Sequence, residues 1–217
     1  MPERIETVKV WDPVVRIGHW VLVAAFFTAY FTEEELLAQH VWAGYAVAGV
    51  VLLRILWGFI GSEHARFSDF LYSPVQALRY LGRLATHRAR RYIGHSPAGA
   101  VMIFALLASL AVTTFSGLEI YAIEENAGPL AVVAATGPPS LINAARADGR
   151  GDEDSDAGAA GNSEAAEEFW EDIHEASANF TVFLVLLHVA GVLAASFSHR
   201  ENLVKSMVTG RKRGKNG

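Results

Sequence analysis

The stretch ASANFTVFLVLLHVAGVLAASFS, residues 176–198, decides the fold. It holds no Asp, Glu, Lys or Arg, and its one titratable side chain of note is His188. Roughly 20 mostly apolar residues suffice to cross the hydrocarbon of a bilayer, so the stretch reads as a spanning helix. Working outward, SPAGAVMIFALLASLAVTTFSGL at 96–118 is uncharged too. VVRIGHWVLVAAFFTAYFT at 14–32 carries Arg16 and His19 near its start. HVWAGYAVAGVVLLRILWGFIG at 40–61 opens on His40 and holds Arg54 two-thirds along. The apolar segment 127–145 contains Gly137-Pro138-Pro139, which breaks helical hydrogen bonding in lipid, and reads as a loop or surface segment. The class expected is therefore all-α: a four-transmembrane-helix bundle, with helices at about 14–32, 40–61, 96–123 and 168–198.

Composition agrees. Of 217 residues, 52% are hydrophobic and 19% charged, with a mean hydropathy of +0.24; soluble domains carry about 25% charge. The length fits one membrane domain over 1–217. The first helix is expected to be retained, because no small-x-small cleavage site precedes Glu33. Absence of cysteine excludes disulfides, iron–sulfur clusters, zinc–thiolate sites and covalent haem attachment. A net charge of -5 argues against nucleic acid as a partner. Basic residues set the orientation: 16 of the 18 fall at the termini, in 62–95 or at Arg54, leaving Arg146 and Arg150 opposite. Both termini are therefore expected in the cytoplasm, with the chain multi-pass in the membrane. Residues 128–168 are expected to face outward as an acidic, partly disordered loop. Leu71, Leu78 and Leu81 suggest an apolar stripe on the membrane surface, and Trp11, Trp20, Trp57, Trp42 and Trp170 an interfacial belt.

Ionisable groups within a membrane are functional candidates by default. His19, His40, His174 and His188 lie at or within the expected helices, whereas His64, His87, His95 and His199 read as solvated interfacial side chains. His174 and His188 share one face of the last helix, about 21 Å apart along its axis. His19 comes early in an outward-running helix and His40 begins an inward-running one. Depth therefore pairs His19 with His188 and His40 with His174. Two facing imidazoles at each of two depths suit bis-histidine ligation of b-type haem, two haems in all. Zinc would require a more compact set of three or four ligands. Arg54 follows His40 by the offset that separates His174 from His188, which places it near the inner pair. Arg16 lies one turn before His19. Both suit haem propionates. Gly44, Gly49, Gly99, Gly117 and Gly191 leave room for a flat macrocycle or for close helix packing.

These residues resemble the bacterial cytochrome b561 / nickel-iron hydrogenase b-type cytochrome subunit family. The resemblance is carried by Val10-Trp11-Asp12-Pro13 with Arg16-x-x-His19-Trp20, by His40-Val41-Trp42-x-Gly44, and by Arg54-x-x-Trp57-Gly58-x-x-Gly61-Ser62. It continues through Glu63-His64-Ala65-Arg66-Phe67-Ser68-Asp69-Phe70, His174-Glu175, His188-Val189-Ala190-Gly191 and the tail from Glu201 to Arg213. It implies a four-helix, two-haem cytochrome with the same ligand pairs. It further implies electron transfer in the cytoplasmic membrane between a redox partner, such as a soluble cytochrome c or a hydrogenase-like complex, and the quinone pool. An electron carrier is favoured over a stand-alone enzyme. The alternative is a quinone-coupled oxidoreductase acting on superoxide or another small substrate. Membrane lipid is the remaining partner, with the basic loop and tail free to meet anionic headgroups.

Overall fold

The computed structural model describes residues 7–32, 36–86, 88–136 and 156–214, with the backbone alone at 133–136 and 156–164. Helix α1 runs Pro13–Phe31. Asp12 caps it, its carboxylate accepting from the Val15 amide at 2.9 Å, and Pro13 supplies a first-turn residue that needs no donor. Helix α2 runs Leu37–Ile60. A 3-10 turn follows at Phe67–Phe70, then α3 at Pro74–Ala85, opened by a capping box between Ser73 and Gln76. Helices α4 (Pro97–Glu124), α5 (Gly128–Thr136), α6 (Asp156–Ser198) and α7 (Leu203–Thr209) follow among the described residues. Strand β1 (Thr7–Lys9) pairs antiparallel with β2 (Arg211–Arg213), Thr7 opposite Arg213.

Among the described residues, four segments are long and apolar enough to cross a membrane: Pro13–Phe31, Leu37–Ile60, Pro97–Glu124 and Ala165–Ser198. This is the all-α, four-spanning class read from the sequence. Their apolar side chains are largely outward, among them Ile17, Phe31, Trp42, Leu56, Phe59, Leu186, Leu193 and Phe197. Water would penalise such a surface, whereas lipid does not. The expected loop at 127–145 is partly helical, since α5 occupies 128–136 and stops before Gly137-Pro138-Pro139. Residues 137–155, the middle of the expected acidic loop, lie outside the described residues. From Asp156 onward the backbone is helical, which the charge-based reading did not foresee. Ala and Glu dominate 156–168 and are strong helix formers, so extending an existing helix through them costs little.

The chain divides into two compact units, residues 1–108 with 181–217, and residues 109–180. In the first, α1 and α2 pack antiparallel. A Cβ on Gly18 would lie 3.6 Å from Val50 Cγ1, and Trp57 Nε1 donates to the Asp12 carboxylate at 3.1 Å. Ser62 also donates to Asp12. Trp57 is thus tied into the protein and Trp11 is buried, so only part of the expected tryptophan belt stands at the surface. Helix α3 buries Ala77, Tyr80 and Leu84 and turns Val75, Leu78 and Leu81 outward; Leu71 is exposed but precedes the helix. The tail is clamped by Arg91, whose guanidinium donates to both Glu201 oxygens at 2.9 and 3.1 Å and to the carbonyls of Arg213 and Gly214. Gly210 adopts φ 77, the left-handed conformation glycine takes without steric cost, and its carbonyl accepts from the Val10 and Trp11 amides.

In the second unit, the facing parts of α4 and α6 are joined by small polar residues. Thr113 Oγ1 donates to Ser177 Oγ at 2.8 Å, and Ser109 Oγ to the Ser177 carbonyl at 3.4 Å. Ser116 is fully enclosed, and Phe115 meets Trp170 edge-on at 5.6 Å.

Candidate functional site

His19 sits in the second turn of α1 and His188 past the middle of α6, both half-buried and both in the first unit. The two rings are within electrostatic reach of one another. His19 packs edge-on against Trp20 at 5.2 Å, and its Nδ1 is enclosed without a hydrogen-bond partner. Residue spacing pairs these two side chains, and in the fold they lie close enough for their charges to interact.

His40 lies in the first turn of α2, its Nδ1 2.9 Å from the Ala29 carbonyl. His174 belongs to the second unit, its Nδ1 2.9 Å from the Thr113 carbonyl and 3.2 Å from Ser116 Oγ. In both, a carbonyl acceptor places the ring proton on Nδ1 and makes Nε2 the electron-pair donor. That is the usual arrangement of a histidine that ligates a metal. Gly117 makes the His174 position possible, because a Cβ there would come within 2.8 Å of the ring's Cε1.

Arg54 extends from α2 over aromatic rings, its guanidinium carbon 5.0 Å from the Phe67 centroid and 5.9 Å from that of Phe70. Its Nη1 is enclosed and unpartnered, and so is Nε of Arg16, whose Nη2 donates to the Val208 carbonyl. Neither arginine makes an ion pair among the described residues. Arg16 also lines an open apolar groove of about 410 Å³ with Ile17, Trp20, Val21, Ala24, Met207 and Val208.

The donor set fits a b-type haem. It offers neutral imidazole nitrogens without thiolate, and enclosed cations suited to propionate carboxylates. Room is present as well: a Cβ on Gly44, one turn after His40, or on Gly191, three residues after His188, would meet nothing within 4 Å.

One histidine was misread from sequence. His95 is not solvated: its Nδ1 is enclosed and unpartnered, and its ring lies 4.6 Å from that of Trp11 and 4.3 Å from that of Phe70. Burial first, then the charges of Arg54, Lys212 and His64, push its pKa down to about 3. The available signal was its position in Gly94-His95-Ser96-Pro97, at the mouth of an uncharged helix. A cluster of Glu124, Glu167 and Glu171 is the one group of three or more acidic or histidine side chains close enough to share a cation among the described residues.

The chain also matches known proteins. Residues 10–210 match the family model described as prokaryotic cytochrome b561. A probable Ni/Fe-hydrogenase B-type cytochrome subunit of Azotobacter vinelandii is 28% identical over 146 residues, covering 53% of this chain and 60% of that protein. The likewise named protein of Rhizobium leguminosarum bv. viciae is 24% identical over 144 residues, covering 51% and 59%. That of Bradyrhizobium diazoefficiens is 26% identical over 127 residues, covering 45% and 51%. The match spans between half and three-fifths of the length of these relatives. No solved structure matches. The chain belongs to the prokaryotic cytochrome b561 family. It is an integral-membrane protein of a b-type cytochrome family, for which b-type haem is the implied cofactor and electron transport the implied role.

Proposed function

We propose that this protein carries electrons through two bis-histidine b haems, between a redox partner and the quinone pool or a second partner. When bound, each haem would supply one-electron chemistry between ferric and ferrous iron. His19 and His188 are the ligands of one. His40 and His174, paired by their sequence depth, are those of the other. Arg16 and Arg54 neutralise propionates. The observation that carries this reading is the approach of His19 on α1 to His188 on α6, two intramembrane imidazoles held within reach on separate spanning helices.

The β1–β2 pairing supports both termini on one side, and the excess of Lys and Arg there makes that side the bacterial cytoplasm. The relatives' names favour a hydrogenase-type complex as the partner. The acidic segment before α6 suits encounter with a basic soluble donor such as a cytochrome c.

A pyridine haemochrome assay on detergent-purified protein tests the reading. The expected result is two haems b per chain, falling to one in His188→Ala. A chain made with ample haem supply that binds none would overturn it.

A further inference from the structure

Four side-chain nitrogens of the first unit are enclosed and lack a partner: Nδ1 of His19, Nε of Arg16, Nη1 of Arg54 and Nδ1 of His95. The register of α1 against α2 orders three of them. Gly18 stands opposite Val50 and Asp12 opposite Trp57, so Arg54 lies between the level of His19 and that of Trp11. From Arg54 the line runs on through aromatic rings. Its guanidinium faces Phe67 and Phe70, and the Phe70 ring lies 4.3 Å from that of His95, tilted by 51°. The His95 ring also lies 4.6 Å from that of Trp11, over which the Lys212 ammonium sits 5.0 Å from the ring centroid. Lys212 is buried and donates to the Gly94 carbonyl at 3.3 Å.

The charged and titratable groups facing His95 are Arg54 from α2, Lys212 from β2 and His64 from the segment before the 3-10 turn. None is an anion. The nearby carboxylates are already engaged: Asp12 accepts from Val15, Trp57 and Ser62, and Glu201 accepts from Arg91 and Arg213. Enclosed cations with unsatisfied N–H groups are favourable only beside anionic oxygen. Burial depresses Lys212 to about 8, with the Glu201 charge opposing the shift and that of Arg91 adding to it.

We propose that Arg54, His95 and Lys212 form the seat of a haem propionate, with His95 donating through Nδ1 to its carboxylate and the two cations balancing its charge. This rests on the reading that His19 and His188 hold that haem, and it extends the recognition of the cofactor to residues on the 94–97 connection and the C-terminal strand. A carboxylate fits the set because it accepts from an imidazole and a guanidinium together, meeting the enclosed His95 Nδ1 and Arg54 Nη1 that Asp12 and Glu201, bonded elsewhere, leave without a partner.

The test is redox-difference infrared spectroscopy of the full-length holoprotein bearing haem labelled with carbon-13 at its propionate carboxyls. His95→Asn and Lys212→Met are each expected to shift the labelled carboxylate band, and Arg79→Gln, on the exposed face of α3, to leave it in place. Lys212→Met is also expected to lower the midpoint potential of the haem that His188→Ala removes. Should His95→Asn fail to assemble, Lys212→Met gives the same reading from the other side of the seat. If His188→Ala leaves the haem count unchanged, the ligand reading itself has failed. If the count drops as expected but both seat variants leave band and potential unmoved, this proposal is wrong. Loss of one phospholipid phosphorus per chain in those variants, with the band unmoved, would assign the site to a lipid headgroup and equally overturn it.

Discussion

Replacing Glu201 by Gln should free the C-terminal strand without unfolding the spanning helices. Glu201 accepts from Arg91 Nη2 at 2.9 Å, Arg91 Nε at 3.1 Å and the Arg213 amide at 2.9 Å. Its side chain is 8% exposed and that of Arg91 is 23% exposed. Removing one partner of such a pair costs about 3–5 kcal/mol when nothing replaces it. Gln keeps one acceptor oxygen, so a loss of about 2–3 kcal/mol is expected, taken from the hydrogen bonds to a charged group. The loss is local, since the pair ties the tail to the 88–95 segment. Opening free energies of this kind are read by proteolysis when reclosing outpaces cleavage. Trypsin at Arg211, Lys212 and Arg213 should therefore cut the variant roughly 30- to 150-fold faster than the parent, at a tenfold per about 1.4 kcal/mol. Cleavage within threefold of the parent would refute the clamp. The same pair sets a pH dependence. Burial alone would raise the Glu201 pKa, but the bonds from Arg91 and Arg213 and the Arg91 charge outweigh it, and the net shift is downward. Stabilisation from a carboxylate shifted this way is full above the unfolded value, 4.5, and is lost as the pH falls through the lower folded value. Hydrogen exchange of the Arg211–Arg213 amides should accelerate in that acid window beyond what their intrinsic rates require.

Three further changes probe other contacts. Gly117→Ala places a methyl 2.8 Å from the His174 ring, and it should change or abolish the spectrum of one haem while sparing the other, as seen by low-temperature difference spectra. Gly58→Ala drives a Cβ to 2.2 Å from the Phe67 ring; overpacking of this sort costs about 1–3 kcal/mol, visible as a lower melting temperature in detergent. Asp12→Ala removes the cap of α1 along with the Trp57 and Ser62 bonds. It should destabilise by about 1 kcal/mol for the cap alone, and by more overall, in the same melting assay.

Much of this architecture was legible because lipid imposes a coarse rule on sequence. An uncharged run such as 176–198 has one stable solution, and a histidine inside it needs a reason. The proposed pairing of His19 with His188 rests on helical rise and direction, and needs no longer-range signal than those. What escaped was long-range and polar. Trp57 looked like a belt residue, but its indole N–H found Asp12 at the start of another helix, and no local period encodes that contact. His95 looked solvated because its immediate neighbours are polar or small; Trp11 and Phe70, distant in sequence, enclose it. The three-residue strands are too short to show any alternation. The helical course of 156–168 was hidden by its charge, although its alanines and glutamates favour helix.

The pairing of Thr7–Lys9 with Arg211–Arg213 has a bearing on biosynthesis. Strand β1 leaves the ribosome well before its partner β2, and Gly210, which accepts from Val10 and Trp11, comes just ahead of that partner. At roughly 5–20 residues per second, the segment ahead of α1 waits about 10–40 s for its mate after it has been made. Throughout that interval α1 can already be inserted while the end that joins Trp11, His95 and Lys212 is open. Closure of this end waits for residues 210–213, so a chain released before them keeps its spanning segments but exposes an unpaired strand, a mark by which quality-control proteases can distinguish it from a closed molecule.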